Sequence, residues 1–287
     1  METYKPIVNI LGIDIEDWYH VLRSIDVWRS CEDRVVQNTN KVLAILKEEG
    51  AQATFFVLGH VAEKFPGLVE KIEGDGHEIG SHGYAHIPIT QQNPLEFEQD
   101  LLKSIRILEK TTGDKIWGYR APWFSIVKRT SWVIAILKKS GLRYDSSIFP
   151  CKTPFYGVPD APRFPYNISS LNIKEDDPKE KFLEFPCSVY RIPGTKINIP
   201  IAGGFYLRFL PHVFVSHAIK KINKMGHPAI CYLHPSELDP EQPKVASLKW
   251  YHYYHLSITE KKFRRLLREF KFTSTRGWIE HERGRSC

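Results

Sequence analysis

Two histidines four residues apart, in Ser81-His82-Gly83-Tyr84-Ala85-His86, are the residues whose type and spacing could best do chemistry. On one helical turn, positions i and i+4 share a face, and two imidazoles there can each offer a ring nitrogen to one metal ion. A third ligand is available from the acidic cluster Asp14, Glu16 and Asp17. On an extended strand residues 14 and 16 share a face, whereas a turn after Ile15 would bring Asp17 to the metal instead. Glu16 and Asp17 are therefore both candidates, against the plainer readings of a solvated loop residue and of a cap on the next segment. Two imidazoles and a carboxylate leave positions open for water and substrate, as a hydrolytic centre requires.

The elements that must position these residues alternate between strand and helix. Ile7 to Ile13 reads as a buried strand ending at the acidic cluster, and Ala53 to Leu58, His77 to Gly80, Trp117 to Tyr119, Tyr144 to Ser147 and Ala229 to Leu233 read as further strands. Helical spacing predicts helices over residues 35–49, 61–74 (interrupted at Pro66), 95–111, 130–140, 210–224 and 259–270. Such alternation implies crossover connections and a parallel sheet or barrel. The acidic cluster, His82, Arg120 and His234 each follow a strand, so they share the rim where such folds place active sites. Residues 150–204 break the rhythm with prolines, aromatics and strand-like pieces at 183–185 and 197–199, as an insertion bordering a cleft would.

The chain has 287 residues, 42% of them hydrophobic, enough for one large domain. Aromatic residues make up 13%, which supplies a barrel core and could furnish a sugar cleft. Net charge is +7, concentrated in Lys261, Lys262, Arg264, Arg265, Arg268, Lys271, Arg276, Arg283 and Arg285. This cluster reads as a solvated helix face or as a surface for anionic partners, and no nucleic-acid-binding motif accompanies it. Met1 to Pro6 has none of the marks of a signal peptide, and no apolar run is long enough to span a bilayer. Five scattered cysteines (Cys31, Cys151, Cys187, Cys231 and Cys287) suit reduced thiols, so a cytoplasmic location is expected.

Five short motifs then occur in the order found in polysaccharide deacetylases: Ile13-Asp14-Ile15-Glu16-Asp17, Ser81-His82-Gly83-Tyr84-Ala85-His86, Tyr119-Arg120-Ala121-Pro122-Trp123, Tyr144-Asp145-Ser146-Ser147 and Leu233-His234-Pro235. From about residue 7 to 240 the chain resembles this family (NodB homology, carbohydrate esterase family four). Its tail, about 241–287 with Leu248 to Tyr254 and Phe270 to Phe272, resembles the C-terminal extension of an exopolysaccharide-biosynthesis subgroup. The resemblance implies a distorted (β/α)7 barrel, here one domain over 1–287 with the extension packed on the core. It implies a metal-dependent N-deacetylase acting on N-acetylated sugars of a poly- or oligosaccharide, a lipid-linked precursor among the options.

By the same resemblance Asp14 would be the general base, and Arg120 would pair with it. His82 and His86 would hold one divalent metal, most naturally Zn2+, with Co2+ or Ni2+ also suiting such donors. Pro122 would shape a turn, and the backbone near Trp123 would face the oxyanion. His234 would be the general acid, and Asp145 would tune it unless it only caps a turn. Two departures stand out. The family's adjacent Asp-Asp is spaced here as Asp14-Ile15-Glu16-Asp17, which leaves the metal carboxylate open between Glu16 and Asp17, and Arg-Pro-Pro-Tyr appears as Arg120-Ala121-Pro122-Trp123.

Such a set suits amide hydrolysis, which needs an activated water, an electrophile for the carbonyl oxygen and a proton donor for nitrogen. Rival readings are a cyclic amide or imide hydrolase of the same fold, a metal-free carbohydrate-binding protein, and nucleic-acid binding through the basic tail. The expected partner is an N-acetylated saccharide rather than nucleic acid, with peripheral contact at the inner membrane face suggested by the basic tail. His77 reads as structural, His212, His217 and His227 as exposed, and Cys187 and Cys231 as core residues. Gly203-Gly204-Phe205-Tyr206 reads as a backbone wall of the cleft or a simple turn.

Overall fold

The computed structural model describes residues 7–22, 25–153 and 156–285. The N-terminal segment Met1 to Pro6 and Cys287 lie outside the described residues, as do the side chains of Arg283 and Arg285. The described residues form eleven strands: β1 (Asn9–Ile15), β2 (Thr54–Val57), β3 (Glu78–Ser81), β4 (Gly118–Tyr119), β5 (Tyr144–Asp145), β6 (Tyr166–Asn167), β7 (Leu183–Glu184), β8 (Val189–Arg191), β9 (Asn198–Pro200), β10 (Ile230–Leu233) and β11 (Phe272–Thr273). Seven of them run parallel in the order β10-β1-β2-β3-β4-β5-β7. The segment after β7 returns to β10, where Ser188 N–H donates to the Ile230 carbonyl at 3.1 Å and Ile230 N–H donates to Ser188 Oγ at 2.8 Å. The curled sheet is thus a distorted seven-stranded barrel wrapped by helices, as the strand–helix alternation implied.

Parallel strands covered on both faces are apolar on both, and all seven residues of β1 are buried. Its alternation separates two cores. Leu11, Ile13 and Ile15 pack in the large layer between sheet and helices. Ile10 belongs to a smaller cluster with Phe56, Tyr144, Phe185 and Ile230, which fills the barrel interior. On that inner face Gly12 and Asp14 follow Ile10.

Local chemistry explains the element boundaries. Pro66 opens the helix Pro66–Gly74 just after Gly59–Lys64 ends. The helix Pro94–Thr112 starts at a capping box between Asn93 and Glu96 and ends at Gly113, whose φ of 72° is left-handed. The predicted helix over 130–140 is shorter, Val133–Lys139, and a 3-10 turn at Lys128–Thr130 precedes it.

The tail departs most from expectation. The basic helix Leu256–Glu269 does pack outside, but the chain then returns to the barrel. Strand β11 pairs in parallel with β1, Asn9 opposite Phe272, and in the following helix Thr275–Arg285 Ile279 joins the interior cluster. The extension therefore plugs one end of the barrel, a role that a short two-residue strand does not announce in sequence. Much of the tail's charge is neutralised locally: Arg264 lies 2.5 Å from Glu48, Arg268 lies 2.7 Å from Glu49, and Lys262 Nζ donates to three carbonyls, those of Leu207, Arg208 and Leu210. His212, expected to be exposed, is buried and lies 2.8 Å from Glu269. Cys187 and Cys231 are buried, as expected. No helix among the described residues is long and apolar enough to cross a membrane.

Candidate active site

One cleft at the C-terminal ends of the strands is lined by Asp14, Glu16, His82, His86, Trp123 and His234, together with aromatic residues of later segments. Strand register brings these distant residues together. β1 pairs with β2 and β10, and β2 with β3, so Asp14 near the end of β1, Ser81 at the end of β3 and Leu233 at the end of β10 lie on one rim.

Glu16, His82 and His86 each offer a ligand atom, all within 4.8 Å of one another. Glu16 Oε1 lies 2.9 Å from His82 Nε2 and 3.0 Å from His86 Nε2. The two histidines do not share a helical turn, as their spacing suggested. They sit on a loop with left-handed turns at Gly83 (φ 76°) and His86 (φ 53°). Asp100, on the helix Pro94–Thr112, holds that loop by accepting the amides of Tyr84 at 2.7 Å and Ala85 at 3.0 Å. Sequence reading missed Asp100, because its contact reaches back to residues folded by the previous loop.

The donor set fits a cation. His82 Nδ1 is 2.8 Å from the Arg120 carbonyl and His86 Nδ1 is 3.3 Å from the His20 carbonyl. A carbonyl can only accept, so each ring carries its proton on Nδ1 and turns a bare Nε2 lone pair toward the Glu16 carboxylate. Three acceptors then converge on one point, and His86 Nε2 is buried with no hydrogen-bond partner. A metal ion resolves that arrangement.

Asp17 is turned away from this point. Its Oδ2 accepts the amides of Arg34 at 2.7 Å and Val35 at 2.8 Å, and its Oδ1 accepts that of Trp18 at 2.8 Å. It caps the helix Val35–Glu48 from outside, and burial raises its pKa to about 6 against those three hydrogen bonds. Between the two acids left open by the sequence, the geometry places Glu16 with the histidines and Asp17 on the helix.

Asp14 accepts from Arg120, Nη1 to Oδ1 at 2.7 Å, both side chains being fully buried. The rest of the guanidinium donates to the Ser146 carbonyl at 3.0 Å and to Ser146 Oγ at 2.8 Å, and it stacks over Phe56. Gly12 makes this possible: a Cβ there would come within 2.5 Å of Arg120 Nη1. His234 Nε2 faces Asp14 Oδ2 at 3.9 Å and Glu16 Oε1 at 3.7 Å. Its other nitrogen, Nδ1, lies 3.1 Å from Glu237 Oε2. Burial alone would depress this imidazole, but the Glu237 hydrogen bond and the charges of Glu16, Glu237 and Asp14 raise its pKa to about 9.

The partner of His234 is therefore Glu237 and not Asp145, which corrects the expectation for Asp145. That residue is wholly buried on β5, pairs in register with Glu184 and bonds Ser147 Oγ, outside the cleft lining. The signal for Glu237 in the sequence is its place three residues after His234, the spacing of a capping box. Pro122 is buried close to Gly83 and likewise does not line the cleft. Trp123 does: its backbone is left-handed (φ 60°) and its ring lies 5.8 Å from that of His86. The amides that follow it, Phe124 and Ser125, donate to the Ala121 and Pro122 carbonyls. Gly203 and Gly204 open a helix, Gly204–Phe209, whose Phe205 and Arg208 line the cleft. Gly204 abuts the Glu237 carboxylate so closely that any Cβ would collide with it.

Residues 24–144 match the family described as polysaccharide deacetylase, and residues 146–280 match a domain of unknown function, DUF3473. The junction falls inside the barrel: the first part supplies β2 to the first residue of β5, the second β6 to β11. The chain is 38% identical over 90 residues to a peptidoglycan-N-acetylglucosamine deacetylase of Bacillus cereus, covering 31% of this chain and 33% of that protein. It is 32% identical over 184 residues to a peptidoglycan deacetylase-like protein of Gibberella zeae, covering 62% and 51%. The chain thus spans about a third to a half of the length of these curated relatives. A crystal structure from Mycobacterium smegmatis, assigned to the polysaccharide deacetylases, superposes with a TM-score of 0.60 at 18% identity over 99% of this chain and 96% of that one. Residues 24–144 thus form a polysaccharide deacetylase domain of the NodB-homology type, and the chain as a whole shares the fold of the Mycobacterium smegmatis structure.

Proposed function

We propose that the protein is a metal-dependent N-deacetylase that hydrolyses the acetamide of N-acetylated sugars within an oligo- or polysaccharide. The observation that carries this reading is the convergence, in one cleft, of the Glu16–His82–His86 donor set with the Asp14–Arg120 and His234–Glu237 pairs. Glu16 and the Nε2 atoms of His82 and His86 would hold one divalent ion, zinc suiting two imidazoles and a carboxylate best and cobalt or nickel being admitted by the same donors. When bound, such an ion lowers the pKa of water and polarises a carbonyl oxygen.

The chain's own residues supply the proton transfers. Asp14 is fixed by Arg120 with Oδ2 directed at the cleft, positioned to take the proton of the attacking water. His234, kept protonated by Glu237 and the neighbouring carboxylates, donates to the departing amine nitrogen. The ring of Trp123 beside His86 walls the acetyl side of the cleft.

The test is metal content by elemental analysis on wild type and His82→Ala, with acetate release from N-acetylglucosamine oligomers measured on the same samples. One equivalent of metal and metal-dependent acetate release, both lost in the variant, is the expected result. Metal without acetate, but with turnover of a cyclic imide, would replace the substrate class. Wild type that takes up no metal would sink the mechanism.

A further inference from the structure

Several large apolar side chains are exposed, among them Leu171, Val213 and Leu95, and one group of aromatic rings at the surface is contiguous. Trp250 is 67% exposed, and Phe205 and Tyr254 are each 37% exposed. Their rings form a continuous layer: Phe205 stacks on Phe209 at 4.4 Å, Phe209 packs on Tyr254 at 4.6 Å, and Trp250 stands edge-on to Tyr254 at 5.7 Å. Tyr251 joins Trp250 at 6.1 Å and Phe205 at 6.3 Å. Contiguous exposed apolar surface of this kind marks a binding site more often than scattered single residues do.

Two further observations say what binds. First, the layer is continuous with the cleft, since Phe205 and Tyr251 line the cleft and also touch the exposed rings. Second, the layer is rigidly held from below by a buried charge. Arg208 Nη1 donates to the carbonyls of His252 at 3.0 Å and Tyr254 at 2.9 Å, and Nη2 donates to Glu237 Oε1 at 3.1 Å. The loop that carries the rings is thereby fixed to the same carboxylate that orients His234. A preorganised aromatic surface leading out of a catalytic cleft suits a flat ligand with an apolar face and a polar edge.

We propose that Phe205, Phe209, Trp250, Tyr251 and Tyr254 form a stacking surface for sugar units that flank the unit held over His82 and His86. The inference rests on the saccharide reading of that cleft. It makes the substrate an extended chain, and it gives the C-terminal extension a part in binding as well as in closing the barrel.

The experiment compares wild type, Trp250→Ala and Trp250→Phe, using the N-acetylglucosamine dimer and hexamer as probes. Binding is followed by calorimetry and acetate release by kcat/KM. The hexamer's Kd is expected to weaken about tenfold in Trp250→Ala, a loss of about 1.4 kcal/mol, and to be largely restored in Trp250→Phe. The advantage of hexamer over dimer in kcat/KM is expected to shrink by a similar factor. Hexamer binding that depends on Trp250 without acetate release would keep the platform and remove the deacetylase reading. Acetate release with a hexamer advantage untouched by Trp250→Ala would keep the enzyme and overturn the platform. Trp250-dependent binding to anionic phospholipid vesicles, or a dimer lost in Trp250→Ala, with hexamer affinity unchanged, would also overturn it.

Discussion

Glu237 Oε2 lies 3.1 Å from His234 Nδ1 and also accepts the backbone N–H of His234 at 3.0 Å, so one carboxylate fixes both the ring and the chain of that residue. Its other oxygen is held by Arg208 at 3.1 Å, and the carboxylate occupies space that a side chain at residue 204 would fill. A carboxylate so confined orients the imidazole with Nε2 toward Asp14 and Glu16 and favours its protonated form.

Replacing Glu237 with Gln keeps an acceptor near Nδ1 but removes the charge. The expected loss is about 10–100-fold in kcat, the range for partners that orient a catalytic imidazole, with KM little changed. Steady-state kinetics of acetate release check it. A loss confined to KM would mean that Glu237 acts on substrate binding and not on His234. Gly204→Ala should reproduce part of the kcat loss, because its added Cβ must displace the same carboxylate.

Glu16 and Asp17, adjacent in sequence, predict opposite phenotypes. Glu16→Gln removes a charged ligand atom from the point where His82 and His86 converge, and metal content should fall with activity. Asp17→Asn keeps one oxygen for the Arg34 and Val35 amides but turns an NH2 group toward the Trp18 amide, so it should retain metal and lose about 1–3 kcal/mol of stability, the cost of an unsatisfied buried donor. Elemental analysis and denaturant unfolding of both variants separate the roles. Metal lost in Asp17→Asn and kept in Glu16→Gln would reverse the assignment.

The barrel interior gives a third expectation. Arg120 reaches Asp14 only because Gly12 has no side chain; a Cβ at that position would come within 2.5 Å of Arg120 Nη1. Gly12→Ala should cost about 1–3 kcal/mol through overpacking and should lower kcat by tilting Asp14. Arg120→Leu should be worse, about 3–5 kcal/mol, because it leaves a buried carboxylate unpaired. Unfolding and kinetics on the two variants check both; Gly12→Ala with unchanged kcat would show that Asp14 tolerates a displaced guanidinium.

Much of this was readable in the sequence because a parallel barrel converts strand ends into a shared rim. The strands at β1, β3 and β10 and the residues at their ends located Asp14, His82 and His234 without any contact being known. What was not readable depended on contacts between distant segments. The loop that carries His82 and His86 is shaped by left-handed residues and by Asp100, not by helical spacing. The choice of Glu16 over Asp17 turned on where one helix begins, and the partner of His234 on which carboxylate its loop encloses. Strand β11 is two residues long, too short for periodicity, and only its pairing with Asn9 and Ile10 reveals it.

Asp145 and Glu184 supply the pH-dependent expectation. They are in-register neighbours on β5 and β7, both fully buried, and neither Asp145 Oδ2 nor Glu184 Oε2 has a hydrogen-bond partner. Burial raises the Asp145 pKa to about 6, and burial together with the Asp145 charge raises Glu184 well above its ordinary value. Both folded-state values lie above those of the unfolded chain, so the folded protein holds extra protons. The stability they contribute is fully present below about pH 4, where both states are protonated. It is lost as the pH rises through about 6 and beyond, where the folded pair must release protons. Glu184→Gln offers a permanent N–H donor to Asp145 while its amide oxygen can still accept from Ile148 N–H, now bonded to Glu184 at 2.8 Å. The variant should therefore melt about 2–4 °C above wild type near pH 8, and the difference should shrink toward pH 5. Thermal unfolding at the two pH values checks this. A variant that is equally stabilised at both, or destabilised more at pH 8, would show that the pair does not hold a shared proton in the folded barrel.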